Sequence, residues 1–436
     1  MKNLLLVTLL LLHLPMLAQL QFNSLPEVLK YADSNDIAIQ SGRIGQQIAN
    51  LEKKEAKAGM LPYANVSLGY NDNIKLQPQL IPSQIFDPQA PEGSFEELTF
   101  GTRYNYSWGT QAQWDILNFQ KLFAAQTATV AERNSSVALE VTRYNIYNLI
   151  AGTYYSILLT QESIQIYQEN VKISDSIFRN AEEKYQKGII SEAEFSRAEI
   201  NKRQNRMNLD LALNNLEQFY VELQSQLNTN QPVSIADTPE QFVLENTQIE
   251  NTHPEILLQE AEVEKYKALL KQQKALRLPS LSLVYQNTRS WATDDFMNFS
   301  NGFDLQQQFF GAQISISLIG LPNRVKTRKS KVELELQELE LENTILESQK
   351  ADELLHLQLN QASAQLEETR KIMDLQGQVD NHAENQYEAG IMSLDQRLDI
   401  YEDLLAAQDR YLQSLASHTL AKYKIYIRQL DFQPKS

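Results

Sequence analysis

The sequence predicts a mixed fold that is mainly α-helical and also contributes strands to a membrane β-barrel, arranged as two repeats of a strand pair and a long helix. Three observations predict it. Glycine and proline number 14 and 13 among 436 residues, and so few helix breakers favour unusually long helices. One segment alternates apolar and polar residues over the length of a membrane-barrel strand. Similar segments recur in the same order in both halves, which indicates an internal duplication.

The N-terminus and the composition predict an exported protein. Met1–Ala18 combines a basic Lys2 with an apolar stretch, the pattern of a signal peptide cleaved before Gln19; a buried N-terminal helix is the alternative. No later segment approaches 18 consecutive apolar residues, so we expect no transmembrane helix in the mature chain. The chain has no cysteine, which excludes disulfides and thiolate sites. Its net charge of −16 gives no sign of a nucleic-acid partner.

The duplication is clearest at two Tyr-x-x-Gly-Ile segments. Ala181–Ser191 aligns with Ala383–Ser393 at an offset of 202 residues, and the same offset aligns Gly109 with Gly311. A shared order at a fixed spacing indicates repeats. We expect a signal peptide at 1–18, a first repeat at 19–230, an inter-repeat linker or equatorial region at 231–250, and a second repeat at 251–436.

Each repeat is predicted to begin with a helix that ends at a Leu-Pro step, because proline cannot occupy a helix interior. These helices are Leu25–Gly59 and His253–Leu276. After the strands, Phe119–Lys187 and Asn323–Ala389 contain no proline and predict very long helices. These helices have narrow apolar faces and are otherwise rich in glutamine and glutamate. This pattern is typical of a coiled-coil wall. Return helices are predicted at Glu192–Gln226 and Leu394–Leu430.

The segment Phe100–Ile116 gives the strongest strand signal. Its even positions are mostly apolar or aromatic and its odd positions mostly polar, over a length well beyond the usual 5–6 residues of a soluble strand. This pattern favours a barrel strand with one face toward lipid; the edge of a soluble sandwich is the alternative. The residues predicted to face lipid are Tyr104, Tyr106, Trp108 and Trp114, and those predicted to face the lumen are Arg103, Gln111 and Gln113.

Weaker alternation predicts one further strand in the first repeat and two in the second, with a long proline-containing loop at Asn71–Glu97. Four strands leave open edges, which a bilayer does not tolerate. Bacterial barrels begin at about eight strands. We therefore expect the chain to oligomerise, and three copies would supply twelve strands.

Taken together, these features resemble the TolC-type outer-membrane efflux protein family, also called outer membrane factors. The resemblance rests on the Leu61-Pro62 and Leu278-Pro279 helix ends, the strand pairs, and the repeated tips Tyr185–Ile189 and Tyr387–Ile391. It implies a homotrimer whose twelve-stranded β-barrel in outer-membrane lipid is continuous with a periplasmic α-helical coiled-coil barrel. It also implies a passive exit duct of an efflux or secretion system. Its partners would be a periplasmic adaptor and an inner-membrane pump driven by protons or by ATP.

The resemblance also assigns roles to the two tips. It implies adaptor docking at Gly188, Ile189, Gly390 and Ile391, and a periplasmic gate at Asp399, Gln396, Tyr387 and Glu194. Asp399 keeps the family's carboxylate, whereas Gln396 replaces another and Met392 replaces an arginine. Ser191 and Ser393 are expected N-caps of the return helices. The alternatives are a plain helix hairpin without a partner and, for Asp399, a solvated helix face.

Two further readings concern charge and catalysis. The basic run Arg324–Lys331 lies either near lipid phosphates or at an ordinary helix start facing water. The five histidines are scattered, and no nucleophile or phosphate-loop motif occurs, so we expect neither an enzyme nor a cofactor or metal. A secreted coiled-coil structural or adhesive protein without a pore is the remaining alternative. The alternation at Phe100–Ile116 disfavours it, because such a protein has no use for a lipid-facing strand.

Overall fold

The computed structural model describes residues 19–239, 242, 244, 246–300, 302–316 and 320–434, so the predicted signal peptide lies outside the described residues. The chain divides into two compact units. The first falls within Met1–Gln47, Arg133–Glu262 and Glu338–Ser436, and the second within Ile48–Glu132 and Val263–Gln337. Both predicted repeats therefore contribute to both units, while the predicted domain bounds remain predictions.

The long elements follow the same order in each repeat, and the first repeat has in addition a divided first helix and one more strand pair. The first repeat contains β1 (Leu20–Phe22), α1 (Leu25–Asn35), α2 (Ile37–Ala58), β2 (Tyr63–Asp72), β3 (Pro78–Pro82), β4 (Phe95–Thr99), β5 (Tyr104–Asn118), α3 (Phe119–Gln186) and α4 (Glu192–Gln226). After β6 (Val233–Ile235), the second repeat contains α5 (Pro254–Ala275), β7 (Ser280–Thr293), β8 (Phe303–Ser315), α6 (Leu321–Glu388) and α7 (Leu394–Gln429). The fold is mainly helical, as predicted.

The two longest helices, α3 and α6, each have 68 residues, about 100 Å at 1.5 Å per residue. Their bounds and those of the return helices α4 and α7 agree with the prediction within a few residues. No helix of the described residues is both long enough and apolar enough to cross a bilayer.

One predicted helix is interrupted. The segment expected to run from Leu25 to Gly59 breaks at Asp36, whose backbone is extended (φ −63°, ψ 132°). Its Oδ1 accepts a hydrogen bond of 2.9 Å from the N–H of Ile39. Aspartate is a favoured N-cap because its side chain satisfies a backbone N–H of the first turn, so α2 starts anew instead of continuing α1.

The core of the first unit surrounds a short parallel pair of strands, β1 and β6. Side chains from α1, α3, α4 and α7 pack against this pair. Leu25, Tyr154, Leu227 and Tyr423 are each at most 1% exposed. The predicted equatorial region therefore contributes β6 to the packing of four helices.

The second unit contains a four-stranded antiparallel sheet in the order β2-β5-β7-β8. Strand β5 begins at Tyr104 and not at the predicted Phe100, because Gly101 adopts φ +116°, a backbone conformation that favours glycine over other residues. Arg103 accordingly precedes the strand and pairs with Asp72 at 3.0 Å. The predicted loop Asn71–Glu97 is also not wholly irregular, since β3 and β4 form a hairpin within that region.

Candidate functional site

Both Gly-Ile tips end a long helix in the same way. Gly188 and Gly390 have φ of +69° and +74°. The N–H of Gly188 donates to the Tyr185 carbonyl and that of Ile189 to the Lys184 carbonyl, both at 2.9 Å. The second tip repeats this pair of bonds, which defines a Schellman C-cap. Glycine is required at these two positions because the left-handed backbone disfavours side chains.

Beyond each tip, a serine caps the return helix as predicted. Ser191 Oγ accepts the N–H of Glu194 at 3.2 Å, and Glu194 Oε2 accepts the N–H of Ser191 at 2.8 Å. Ser393 and Gln396 form the same reciprocal capping box. Accepting this backbone N–H lowers the pKa of Glu194. Two of the predicted gate residues, Glu194 and Gln396, are thus bound to the backbone of their own helix starts.

The tip isoleucines are left exposed by this geometry. Ile189 is 65% exposed and Ile391 is 78% exposed. A Schellman motif often covers such a side chain with an apolar contact to the preceding helix. Here the two apolar side chains point away from the hairpins.

A buried ion pair closes the second hairpin. The two terminal guanidinium nitrogens of Arg397, on α7, donate to the carboxylate of Asp380, on α6; the Nη2–Oδ2 distance is 3.0 Å. The two side chains are 1% and 5% exposed. Arg397 Nε has no hydrogen-bond partner among the described residues. A bidentate pair of this kind fixes both the distance and the orientation of two helices.

The first hairpin uses aromatic packing at the equivalent positions. Adding the repeat offset of 202 to Phe178 and Phe195 gives Asp380 and Arg397. The rings of Phe178 and Phe195 are 5.6 Å apart, and Tyr185 stacks on Phe195 at 4.8 Å. The two hairpins therefore have the same backbone conformation at their tips, but aromatic packing closes the first and an ion pair closes the second.

An exposed cluster of charges joins the two hairpins. Arg197, on α4, binds Asp399 on α7 at 2.5 Å. It also contacts Glu402 at 3.2 Å and Asp395 at 3.4 Å. Hydrogen bonding to Asp399 raises the pKa of Arg197. One cation thus faces three carboxylates, and the cluster keeps a surplus of negative charge.

The last predicted gate residue, Tyr387, is buried against the first hairpin. Its ring is 3% exposed, and Lys184 Nζ lies 3.6 Å from the ring centroid, a cation–π contact between the repeats. Burial raises the pKa of Tyr387 and lowers that of Lys184. The hydroxyl of Tyr387 has no partner among the described residues.

The structure thus brings Asp399 and Tyr387 to the contact between the hairpins, with two partners that the sequence did not predict, Arg197 and Lys184. The buried pair Asp380–Arg397 within the second hairpin was also not predicted. The offset of 202 relates Arg197 to Asp399, so opposite charges at equivalent positions were a usable signal. In the part of the chain that the structure describes, no group of three His, Asp or Glu residues is arranged to hold a metal ion.

The four residues predicted to face lipid lie on β5, where paired residues of neighbouring strands share a face. Trp108 pairs with Leu68 and Arg289. Tyr104 is only 9% exposed, because Phe296 of the β7–β8 loop packs against its ring at 5.4 Å. Tyr106 is stacked on Tyr70 at 5.2 Å, and Trp114 is 45% exposed.

The comparisons with known proteins agree with this architecture. A family model described as "Outer membrane efflux protein" matches residues 28–229, whereas no curated protein matches the sequence significantly. Similar folds occur in the VceC outer membrane protein of Vibrio cholerae (12% identity, TM-score 0.74, covering 94% of this chain and 97% of that chain). They also occur in the CmeC outer membrane channel of Campylobacter jejuni (18%, 0.70, 93% and 85%) and in the open state of the MtrE outer membrane channel of Neisseria gonorrhoeae (14%, 0.65, 94% and 91%). The family match over most of the first repeat and the shared fold over nearly the whole chain confirm the resemblance to the TolC-type outer-membrane efflux protein family.

Proposed function

We propose that three copies of this chain form an exit duct through the outer membrane. The observation that carries the proposal is the pair of open edges of the four-stranded sheet. Every residue of β2 is exposed, and all but one of β8 are as well. An unpaired edge is not tolerated in lipid, so partner strands must cover β2 and β8. Three copies would close a barrel of twelve strands.

The directions of the strands support this closure. Each neighbouring pair in the order β2-β5-β7-β8 is antiparallel, so β8 of one copy would meet β2 of the next in the antiparallel sense that continues the sheet. The helices attached to these edges also carry unpartnered apolar side chains. Leu51 on α2 is 62% exposed, and Leu336 on α6 is 52% exposed. A second copy would bury both the edges and these side chains.

The two faces of the sheet support a lipid-facing exterior and a water-filled lumen. On the face of Trp108, Ala112 pairs with Tyr285, which in turn pairs with Phe310. On the opposite face, Gln111 pairs with Asn65 and Gln286. Around Ala112 and Gln111 one face is thus apolar and the other polar, the division that an outer-membrane barrel needs, while Arg289 on the face of Trp108 is paired with Asp304. A structural or adhesive protein without a pore has no need of this division, and we do not favour that alternative.

The long helices would extend the duct into the periplasm as an α-helical barrel. The exposed Ile189 and Ile391 at the tips would offer apolar contacts to a periplasmic adaptor, with Gly188 and Gly390 holding the turns. A pump in the inner membrane, driven by protons or by ATP, would supply the energy. The duct itself would conduct passively.

The closure is tested by pairing introduced cysteines, for which a chain without native cysteine has no background. Val66→Cys on β2 is combined in turn with a cysteine at each outward position of β8 from Gln306 to Ala312. For the β8 position that faces Val66 of the next copy, oxidation is expected to give covalent dimers and trimers and nothing larger. Other positions should not react, because a disulfide requires Cβ atoms about 3.5–4.5 Å apart. A cysteine in place of Ala112, on the central strand β5, is the control that forms no such link. A chain that stays monomeric in the periplasm would overturn the proposal.

We further propose that the tip contacts act as the periplasmic gate. Arg197, Asp395, Asp399 and Glu402 carry a net charge of −2 in each copy if all four are ionised. A ring of such clusters around a narrow entrance would favour cations and would hold a divalent cation that slows flow. Because Gln396 is neutral, the block would be weaker than with a second carboxylate at that position.

We expect Asp399→Asn and Arg197→Gln to change ion selectivity in opposite directions. The first substitution removes a negative charge from the ring and lowers cation preference and magnesium block; the second removes a positive charge and raises both. Single-channel currents in planar bilayers measure these quantities. Glu353→Gln, about 50 Å from the tip end of α6, removes a matched exposed charge and should change neither. If ion selectivity and magnesium block are unchanged in both tip variants, this cluster does not lie at the entrance.

A further inference from the structure

Exposed basic side chains are concentrated at one end of the sheet. Four helices meet the sheet there: α2 ends before β2, α5 ends before β7, α3 begins after β5, and α6 begins after β8. Three of them, α2, α5 and α6, carry the exposed basic residues. Only one acidic residue, Glu55, occurs within residues 54–59, 271–278 and 321–332. The exposed basic residues of these segments, which we call the basic collar, are Lys54, Lys57, Lys271, Lys274, Arg277, Arg324, Lys326, Arg328, Lys329 and Lys331.

The members of the basic collar on α5 and α6 lie close together in the second unit. At this end of the sheet Ser280 of β7 pairs with Ser315 of β8. The guanidinium of Arg277, just after α5, lies 3.4 Å from the hydroxyl of Thr327 on α6. The α5 and α6 parts of the collar therefore form one surface from segments far apart in the sequence, whereas α2 leads into β2, at the opposite edge of the sheet.

The positive charge of the collar does not follow from the composition of the whole chain, which is acidic. The whole chain has 55 acidic against 39 basic residues. At the opposite end of the sheet, the connections 73–103 and 294–302 hold six acidic and two basic residues. The charge is thus segregated between the two ends of the strands, with the basic end on the side of the helices.

The first basic residue of α6, Arg324, lies in the first turn, where the helix itself disfavours a cation. Five cations fall within the first 11 residues of α6, and the first turn holds no acidic residue. The N-terminus of a helix carries a partial positive charge and is stabilised by anions. Lys329 and Lys331 contact Glu333 and Glu335 at 3.4 and 3.5 Å, but exposed pairs of this kind contribute little. An external anion would relieve this unfavourable arrangement.

Apolar side chains accompany the cations in the same turns of α6. Leu321 is 79% exposed and Val325 is 64% exposed. Exposed apolar residues next to lysine and arginine are typical of a helix at a membrane surface, where the apolar groups reach the acyl boundary and the cations stay at the headgroups.

We infer that the basic collar binds the phosphate headgroups of anionic phospholipids in the membrane leaflet on the periplasmic side of the barrel. The inference rests on the proposed function, which puts the sheet across a membrane and the helices below it. Guanidinium groups bind phosphate oxygens in pairs, and lysines add point charges. Basic segments next to a membrane span are attracted to anionic lipids in this way.

The test measures the preference of the reconstituted protein for a phosphatidylglycerol probe over phosphatidylcholine, by electron paramagnetic resonance of spin-labelled lipids. One variant replaces Arg324, Lys326, Arg328, Lys329 and Lys331 with glutamine. The matched control replaces five exposed basic residues of the first unit with glutamine: Lys172, Lys187, Arg203, Lys350 and Lys371.

We expect a several-fold preference for phosphatidylglycerol in the wild type and the control, falling toward equal association in the collar variant. The wild-type preference should also fall when salt rises from about 0.1 to 0.5 M, because screening shortens the range of the attraction. Equal preference in all three proteins would overturn the inference. Displacement of the probe by inorganic phosphate at constant ionic strength would show a free-phosphate site in place of a membrane contact, and would also overturn it.

Two measurements keep this outcome separate from that of the proposed function. Each protein is first assayed for channels in planar bilayers. If the wild type forms no channels, this result counts against the proposed duct, whatever the lipid preference. A second variant, Lys271→Gln with Lys274→Gln and Arg277→Gln, carries the same expectation on α5. If it keeps the full lipid preference while it forms channels, α5 does not belong to the lipid-binding surface and the three-helix collar is refuted.

Discussion

Replacing Asp380 with asparagine is expected to destabilise the second hairpin by about 3–5 kcal/mol, because removing one partner leaves the other charge buried and unpaired. Arg397 is 1% exposed and already has one nitrogen, Nε, without a partner. An amide offers one acceptor oxygen where the carboxylate offered two. Hydrogen–deuterium exchange along α6 and α7 near the tip measures the free energy of this local opening.

The first repeat supplies a matched control for this experiment. The double variant Asp380→Phe with Arg397→Phe copies the pair Phe178–Phe195 at the equivalent positions of the first hairpin. Replacing a buried ion pair by apolar residues is often neutral or stabilising, so this variant should recover most of the lost protection. Protection in Asp380→Asn equal to that of the wild type would show that the buried pair does not hold the hairpin closed.

Replacing Ala112 with arginine is expected to cost about 2–4 kcal/mol if this residue faces the middle of the bilayer. Its face also carries Tyr285 and Phe310, so the new guanidinium would lie beside aromatic rings. Gln111→Arg is the control one residue away, on the face of Asn65 and Gln286, and its cost should be small. Urea titration of the protein folded into lipid vesicles measures both. Equal losses would mean that the two faces of β5 are assigned wrongly.

The long elements could be predicted because their signals are local. Glycine and serine mark the ends of the helices around both tips, and the bounds of α4 agree with the prediction at both ends. The break at Asp36 was missed because the apolar spacing continues through it, and only the capping bond shows the interruption. The start of β5 was placed too early for a related reason, since alternation does not reveal the positive φ of Gly101.

The tip contacts were predicted less completely because they join distant parts of the chain. Asp399 was expected at the gate, but its bond to Arg197 crosses 202 residues. The buried pair Asp380–Arg397 was hidden for a further reason. The equivalent residues of the first repeat are phenylalanines, so aligning the repeats directs attention to packing and not to charge.

The pairing of Arg197 with Asp399 also bears on the history of the duplication. These two residues occupy the same position in the two halves and bind each other. Immediately after a gene duplication, both positions would have held the same residue, and this contact would have been neutral or repulsive. Once they diverged to opposite charges, the halves ceased to be interchangeable: a chain made of two first halves would set an arginine against Arg197, and one made of two second halves would set two aspartates together. The ionic contact thus fixes the order of two unequal halves within one chain.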